Sequence, residues 1–233
     1  MSASNPPSNP NDASSETDRV HVSILLDRSG SMASVVDDTI GGFNTFVEQQ
    51  KKLPGECRVT LVQFDNQDPH DVVFDAIPPR EVMPLTDRTY QPRGGTPLLD
   101  AVGTLIQRLD KRVAVDPTED QLVAIITDGC ENASGHFSKE EIAGMITLRE
   151  RGDWTFVFLG ADIDAFGEAR GIGIGGGRTG NYAQTADGMR MAFSDISSST
   201  AAMRAMSRAE RRSKKDRLLA DAREEREQSG EQN

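Results

Sequence analysis

The chain has 233 residues, enough for one α/β domain with polar ends, and only 36% of them are hydrophobic. Its formal net charge of −11 excludes a sequence-independent nucleic-acid binder, which needs surplus Lys and Arg, and gives no basis for attraction to anionic lipid. The two cysteines, Cys57 and Cys130, are far apart and share no zinc-type spacing, which fits a reducing compartment.

Residues 1–18 are rich in Ser, Asn and Pro and bury too little apolar surface to order, so they read as a disordered N-terminal tail. They lack the apolar segment of a signal peptide, and no run in the chain is long enough for a membrane span. The expectation is therefore a soluble, cytoplasmic protein without a membrane partner.

Ordered structure should begin near Arg19. Residues 20–27 form a strand that is apolar on both faces, as in the centre of a parallel sheet. Met32, Val36, Ile40, Phe43 and Val47 recur at helical steps and predict a helix over 33–52; its Gly41-Gly42 pair suggests close packing on the sheet. Strands at 57–64 and 71–77 flank the turn at 65–69 and predict a hairpin. The Pro- and Gly-rich stretch 78–96 is a loop. A helix follows over 97–112, with Leu98, Ala101, Val102, Leu105, Ile106 and Leu109 on one face, and then an apolar strand over 122–127.

Ser138-Lys139-Glu140-Glu141 is a capping box that opens a helix running to about Arg151. A buried strand over 154–159 and a short helix at 163–169 come next. The glycine-rich segment 171–180 lacks the Gly-Lys-Ser/Thr ending of a phosphate loop and reads as a connector into a short edge strand near 181–183. A helix over 187–206 closes the domain. Residues 207–233 turn sharply toward Arg, Glu, Lys, Asp and Ala and read as a charged C-terminal tail, either a solvated helix or disordered.

Strands alternating with helices imply a Rossmann-like, doubly wound, mostly parallel six-stranded sheet with one antiparallel edge strand and helices on both faces. Ligands in such sheets bind at the carboxyl ends of the strands. Asp27 and Asp128 both fall at such ends.

Three remote segments offer oxygen ligands. Asp27-Arg28-Ser29-Gly30-Ser31 presents a carboxylate and two hydroxyls from a turn directly after the first strand. Thr96 lies in Gly94-Gly95-Thr96-Pro97, and Asp128 in Thr127-Asp128-Gly129. Each has an ordinary role available: a strand end for Asp27, turn and N-cap positions for Ser29 and Ser31, an N-cap before Pro97 for Thr96, a turn for Asp128. Taken together at one edge of one sheet, they favour a divalent cation. Few ligands and several hydroxyls favour Mg2+, with Mn2+ or Ca2+ as alternatives. Asp100 and Glu131 are candidates for orienting these groups, and Arg28 and Arg93 read as solvated flanking cations.

On these residues the chain resembles the von Willebrand factor A domain family over about 19–206. Thr39-Ile40-Gly41-Gly42-Phe43-Asn44 and Tyr90 to Thr96 bring it nearest to stand-alone bacterial members. The resemblance implies that Asp27, Ser29, Ser31, Thr96 and Asp128 form a metal-ion-dependent adhesion site. It implies a non-enzymatic module that binds a protein partner, with the partner's Asp or Glu completing the metal's coordination, and in some families such modules serve AAA+ ATPases as adaptors. An enzymatic alternative is a Mg2+-dependent phosphatase of the haloacid dehalogenase type using Asp27. That type places a second Asp two residues on, where this chain has Ser29, and no strand-end lysine stands out to balance a phosphate.

Overall fold

The structure is a computed structural model that describes residues 19–161 and 164–229. The N-terminal tail at 1–18 and the first residue of the helix expected at 163–169 lie outside the described residues.

The strands are β1 (Arg19–Asp27), β2 (Cys57–Phe64), β3 (Asp71–Ile77), β4 (Glu119–Thr127), β5 (Trp154–Ala161) and β6 (Thr179–Tyr182). The helices are α1 (Val36–Lys52), α2 (Leu98–Val113), α3 (Lys139–Glu150), α4 (Ala165–Gly171), α5 (Ala186–Ala205), α6 (Arg208–Lys214) and α7 (Leu218–Ser229). Among the described residues the strands form one six-stranded sheet in the order β3-β2-β1-β4-β5-β6. Only the β2–β3 pair is antiparallel. The chain thus winds outward from β1 in both directions, which places the carboxyl ends of β1 and β4 side by side. Leu26 pairs with Ile126, so Asp27 and Thr127 leave the sheet together.

Alternating residues of the central strands feed two cores. Val22, Ile24 and Leu26 of β1 and Leu122, Ala124 and Ile126 of β4 pack with Phe43 and Phe46 of α1 and Phe193 and Ile196 of α5. Leu25, Val123 and Ile125 pack on the opposite face against α2 and α3. Because both faces are covered, the alternation is apolar on both sides, and burial of each large side chain contributes roughly 1.5–3 kcal/mol.

Several elements differ from expectation. Gly30–Val35 form a 3-10 turn, so α1 starts at Val36 rather than at residue 33. Such a turn is a common entry into a helix and here keeps the Ser29-Gly30-Ser31 backbone out of the α-helical ladder. Gly42 packs against α5 rather than the sheet, since a Cβ there would run into the Phe193 ring, whereas Gly41 faces open space.

The C-terminal segment is neither free nor only solvated. Ser207 opens α6 with a second capping box, and Leu218, Leu219 and Ala222 are buried. Arg208 and Arg211 bond Asp120, and Arg223 bonds Asp195 of α5. A mostly charged sequence can dock in this way because acids at the amino ends of β4 and β5 meet its arginines. Cys57 is buried, Cys130 is exposed, and both are free thiols. Among the described residues no helix is long and apolar enough to cross a membrane.

Candidate metal centre

The five residues singled out from the sequence converge on the rim at the carboxyl ends of β1 and β4. Ser29 Oγ lies 3.0 Å from Ser31 Oγ, and Ser31 Oγ donates to Asp128 Oδ1 at 2.6 Å. Asp27 is fully buried; its Oδ1 accepts the Ser29 amide at 2.6 Å and its Oδ2 accepts the Thr127 hydroxyl at 2.6 Å. Thr96 Oγ1 stands 2.8 Å from the place where a Cβ on Gly129 would sit, so Thr96 abuts the Asp128-Gly129 turn. Ser29, Thr96 and Asp128 are buried, and Ser31 opens to solvent.

The loops are held by their own backbones. Gly30 N–H donates to Gly94 O at 3.0 Å, and Arg93 N–H to Arg28 O at 2.8 Å. Gly94 has φ +66, and a Cβ there would collide with the Asn66 side chain, whose Oδ1 accepts from Gly95 N–H at 3.0 Å. Glycine is required at this position on both counts. Asn132 holds Thr96 from both sides, accepting its N–H at 2.9 Å and donating its own N–H to Thr96 O at 3.1 Å.

The hydroxyls are not used for capping. The N-cap of α2 is Pro97, not Thr96, and it makes no side-chain cap bond; Ser29 precedes its 3-10 turn without one either. Neither the Ser29 nor the Thr96 hydroxyl is spent on a capping bond, although Asp27 does end β1 and Ser29 does precede the turn.

Neighbouring residues depart from expectation. Arg28 is not a solvated cation: its guanidinium is buried and bonds Gln63 (3.0 Å), Asp65 (2.8 Å) and Asp71 (2.7 Å). Arg93 joins it on Asp65 at 2.9 Å. Glu131 accepts from the backbone of Leu99, Ala133 and Ser134, and Asp100 accepts from Gly135, His136 and Phe137. Both acids staple the loop after β4 to the start of α2 and so fix the positions of Thr96 and Asp128.

Three site residues escaped the sequence reading. Thr127 orients Asp27, and its place beside Asp128 at a strand end was a usable signal. The Tyr90 hydroxyl donates to Asp27 O at 2.7 Å. Gln184 Nε2 bonds Asp128 Oδ2 and donates to Ser31 O at 2.8 Å, from 153 residues away, with no local pattern to announce it.

The electrostatics fit a cation. Burial pushes the Asp27 carboxyl up to about 6; its bonds from Thr127 and Ser29 pull down and nearby Asp128 pushes up again. Among the described residues its hydrogen-bond donors are the neutral Ser29 amide and Thr127 hydroxyl. Two carboxylates and three hydroxyls on a rim make a hard-oxygen donor set of the kind Mg2+ or Mn2+ takes. Among the described residues no group of three or more His, Cys, Asp or Glu is gathered.

The architecture matches solved structures of low sequence identity. A manganese-loaded TRAP protein of Plasmodium vivax superposes with a TM-score of 0.53 at 16% identity, covering 72% of this chain and 69% of that one. A von Willebrand factor type A protein from Catenulispora acidiphila gives 0.55 at 15% identity, covering 78% and 42%. This is the von Willebrand factor A fold. The mussel byssus protein PTMP1, with a zinc-occupied MIDAS motif, also carries this likeness, with a TM-score of 0.55 at 16% identity over 78% of this chain and 46% of that one. The chain spans less than half the length of the mussel and Catenulispora chains. No protein-family model matches the sequence, and no curated protein matches it.

Proposed function

We propose that this A-type domain is a divalent-metal-dependent protein-interaction module, with Asp27, Ser29, Ser31, Thr96 and Asp128 as the metal ligands. The observation that carries the reading is the fully buried Asp27 carboxylate, surrounded by neutral donors, beside hydroxyls that do no capping. A group buried in this way is costly without a counter-charge, and a cation on the rim supplies one. Mg2+ is the preferred ion, with Mn2+ next. When bound, the ion would act as a Lewis acid toward an outside carboxylate, and the role of the protein is to hold its oxygens rigidly at an exposed edge. The partner class is a protein presenting Asp or Glu; an AAA+ ATPase is one kind of partner this accommodates. The phosphatase alternative loses support, because Ser29 occupies the place of its second Asp and the nearest arginine, Arg28, is committed to Asp65 and Asp71.

Calorimetric titration with Mg2+ and Mn2+ tests the site. The wild-type chain should give saturable binding that Asp27→Ala loses while circular dichroism stays native-like. Equal binding by the variant refutes the assignment. Capture of a partner that a chelator releases would then establish the second half of the reading.

A further inference from the structure

Gln184 reaches the rim from just beyond the carboxyl end of β6, the edge strand. It directly precedes Thr185, the N-cap of α5, whose hydroxyl accepts from Gly188 N–H. The turn is tight: Thr185 N–H donates to Ala183 O at 2.8 Å, and a Cβ on Gly188 would collide with that same carbonyl. This rigid turn holds the half-buried Gln184 over the rim. Its amide nitrogen bonds both Asp128 Oδ2 and Ser31 O, while Asp128 Oδ1 accepts from Ser31 Oγ. The amide thus offers its positive end to the carboxylate that the metal reading assigns to a cation.

We propose that Gln184 is a built-in competitor at the metal rim: its amide hydrogen-bonds Asp128 Oδ2 and has to yield that carboxylate before a divalent cation can be held. The inference rests on the metal-binding reading above. It makes Gln184 a positioning residue that lowers metal affinity and keeps the rim ordered without metal. A bond from an amide to a charged carboxylate is worth roughly 1.5–3 kcal/mol, so losing the competitor should tighten metal binding by about tenfold or more.

The test compares wild type with Gln184→Ala and Gln184→Met, the second keeping the side-chain length without the donor. Mn2+ affinity is measured by calorimetry, and amide hydrogen exchange over residues 183–189 is followed with and without Mn2+. Both variants should bind Mn2+ about tenfold more tightly and exchange faster at 183–189 without metal; in wild type, saturation with Mn2+ should speed exchange there. Wild-type binding with unchanged or weaker affinity in both variants overturns the competitor and leaves the metal site standing, as does exchange indifferent to Mn2+. Failure of the wild type itself to bind Mn2+ overturns both.

Discussion

Strand β4 carries acids at both ends, and the two ends treat them differently. At its amino end Glu119 takes two bonds from Arg112, at 2.6 and 2.8 Å, and Asp120 is shared by Arg208 and Arg211 at 2.7 and 2.6 Å. Burial pushes the Glu119 carboxyl up, but Arg112, His21 and Gln121 together outweigh it and the group sits below its ordinary value. Beyond the carboxyl end, Asp128 meets Ser31 and Gln184, and its neighbour Asp27 meets Ser29 and Thr127. There burial prevails and Asp27 is pushed up to about 6. The residue types are the same at both ends. Glu119 is held by a guanidinium, whereas the donors bonded to the Asp27 carboxylate are a neutral amide and a neutral hydroxyl, and the metal proposal turns on that difference.

The sharpest way to break this contrast is to remove a partner from each end. Arg211 is buried, and Arg211→Ala leaves Asp120 with only the half-exposed Arg208, so unfolding stability should drop by about 3 kcal/mol. Asp27→Asn, in metal-free buffer, exchanges a buried charge for a neutral amide whose oxygen can keep the Ser29 bond and whose nitrogen can donate to Thr127 Oγ1 once that hydroxyl turns to Gly129 O, so it should cost less than about 1 kcal/mol. Urea denaturation of both variants decides the point. If Asp27→Asn is as damaging as Arg211→Ala, the rim acids are structural ions and the contrast is void.

A second test uses pH at the amino end. His21 is fully buried on β1, its Nε2 2.8 Å from Thr60 Oγ1 and its Nδ1 3.5 Å from Glu119. The Glu119 contact alone would favour the imidazolium. Burial dominates, and with Arg112 already on Glu119 the ring is pushed down to about 4. Between pH 6.5 and 4 the unfolded chain therefore binds a proton that the folded chain refuses. Stability from this group is complete above pH 6.5 and declines as pH falls to 4, by about 3 kcal/mol in total. His21→Gln should flatten the stability profile by one proton across that window. An unchanged slope would mean that Glu119 carries the imidazolium after all.

Much of this was legible in the sequence because it is encoded locally. Strand β1, the apolar face of α2, the Ser138–Glu141 capping box and a mostly parallel six-stranded sheet with one antiparallel edge follow from periodicity and turn chemistry, and all appear in the structure. The five candidate ligands could be picked out because they lie at or just outside the ends of elements: Asp27 ends β1, Asp128 follows β4, Ser29 and Ser31 sit at the 3-10 turn and Thr96 precedes α2. What stayed hidden depends on distant pairing. Arg28 looked solvated because Asp65 and Asp71, its partners, lie 37 and 43 residues on. The C-terminal segment looked unanchored because its arginines find acids 28 to 91 residues back, and only Leu218, Leu219 and Ala222 give α7 a buried apolar footing. Gln184 carried no local mark at all.

The smallest expected effect separates the rim's scaffold from its ligands. The hydroxyl of Tyr90 is buried and donates to the backbone carbonyl of Asp27, not to its carboxylate. Tyr90→Phe removes that donor without opening a cavity, so stability should fall by about 1 kcal/mol, the usual net worth of one buried hydrogen bond. Metal affinity should change less than about threefold, because the carboxylate keeps its own two donors, and a factor of three is under about 1 kcal/mol. Denaturation and Mn2+ titration of the same preparation measure both quantities. A large loss of affinity with little loss of stability would show that the position of the Asp27 main chain, and not only its carboxylate, sets the metal site.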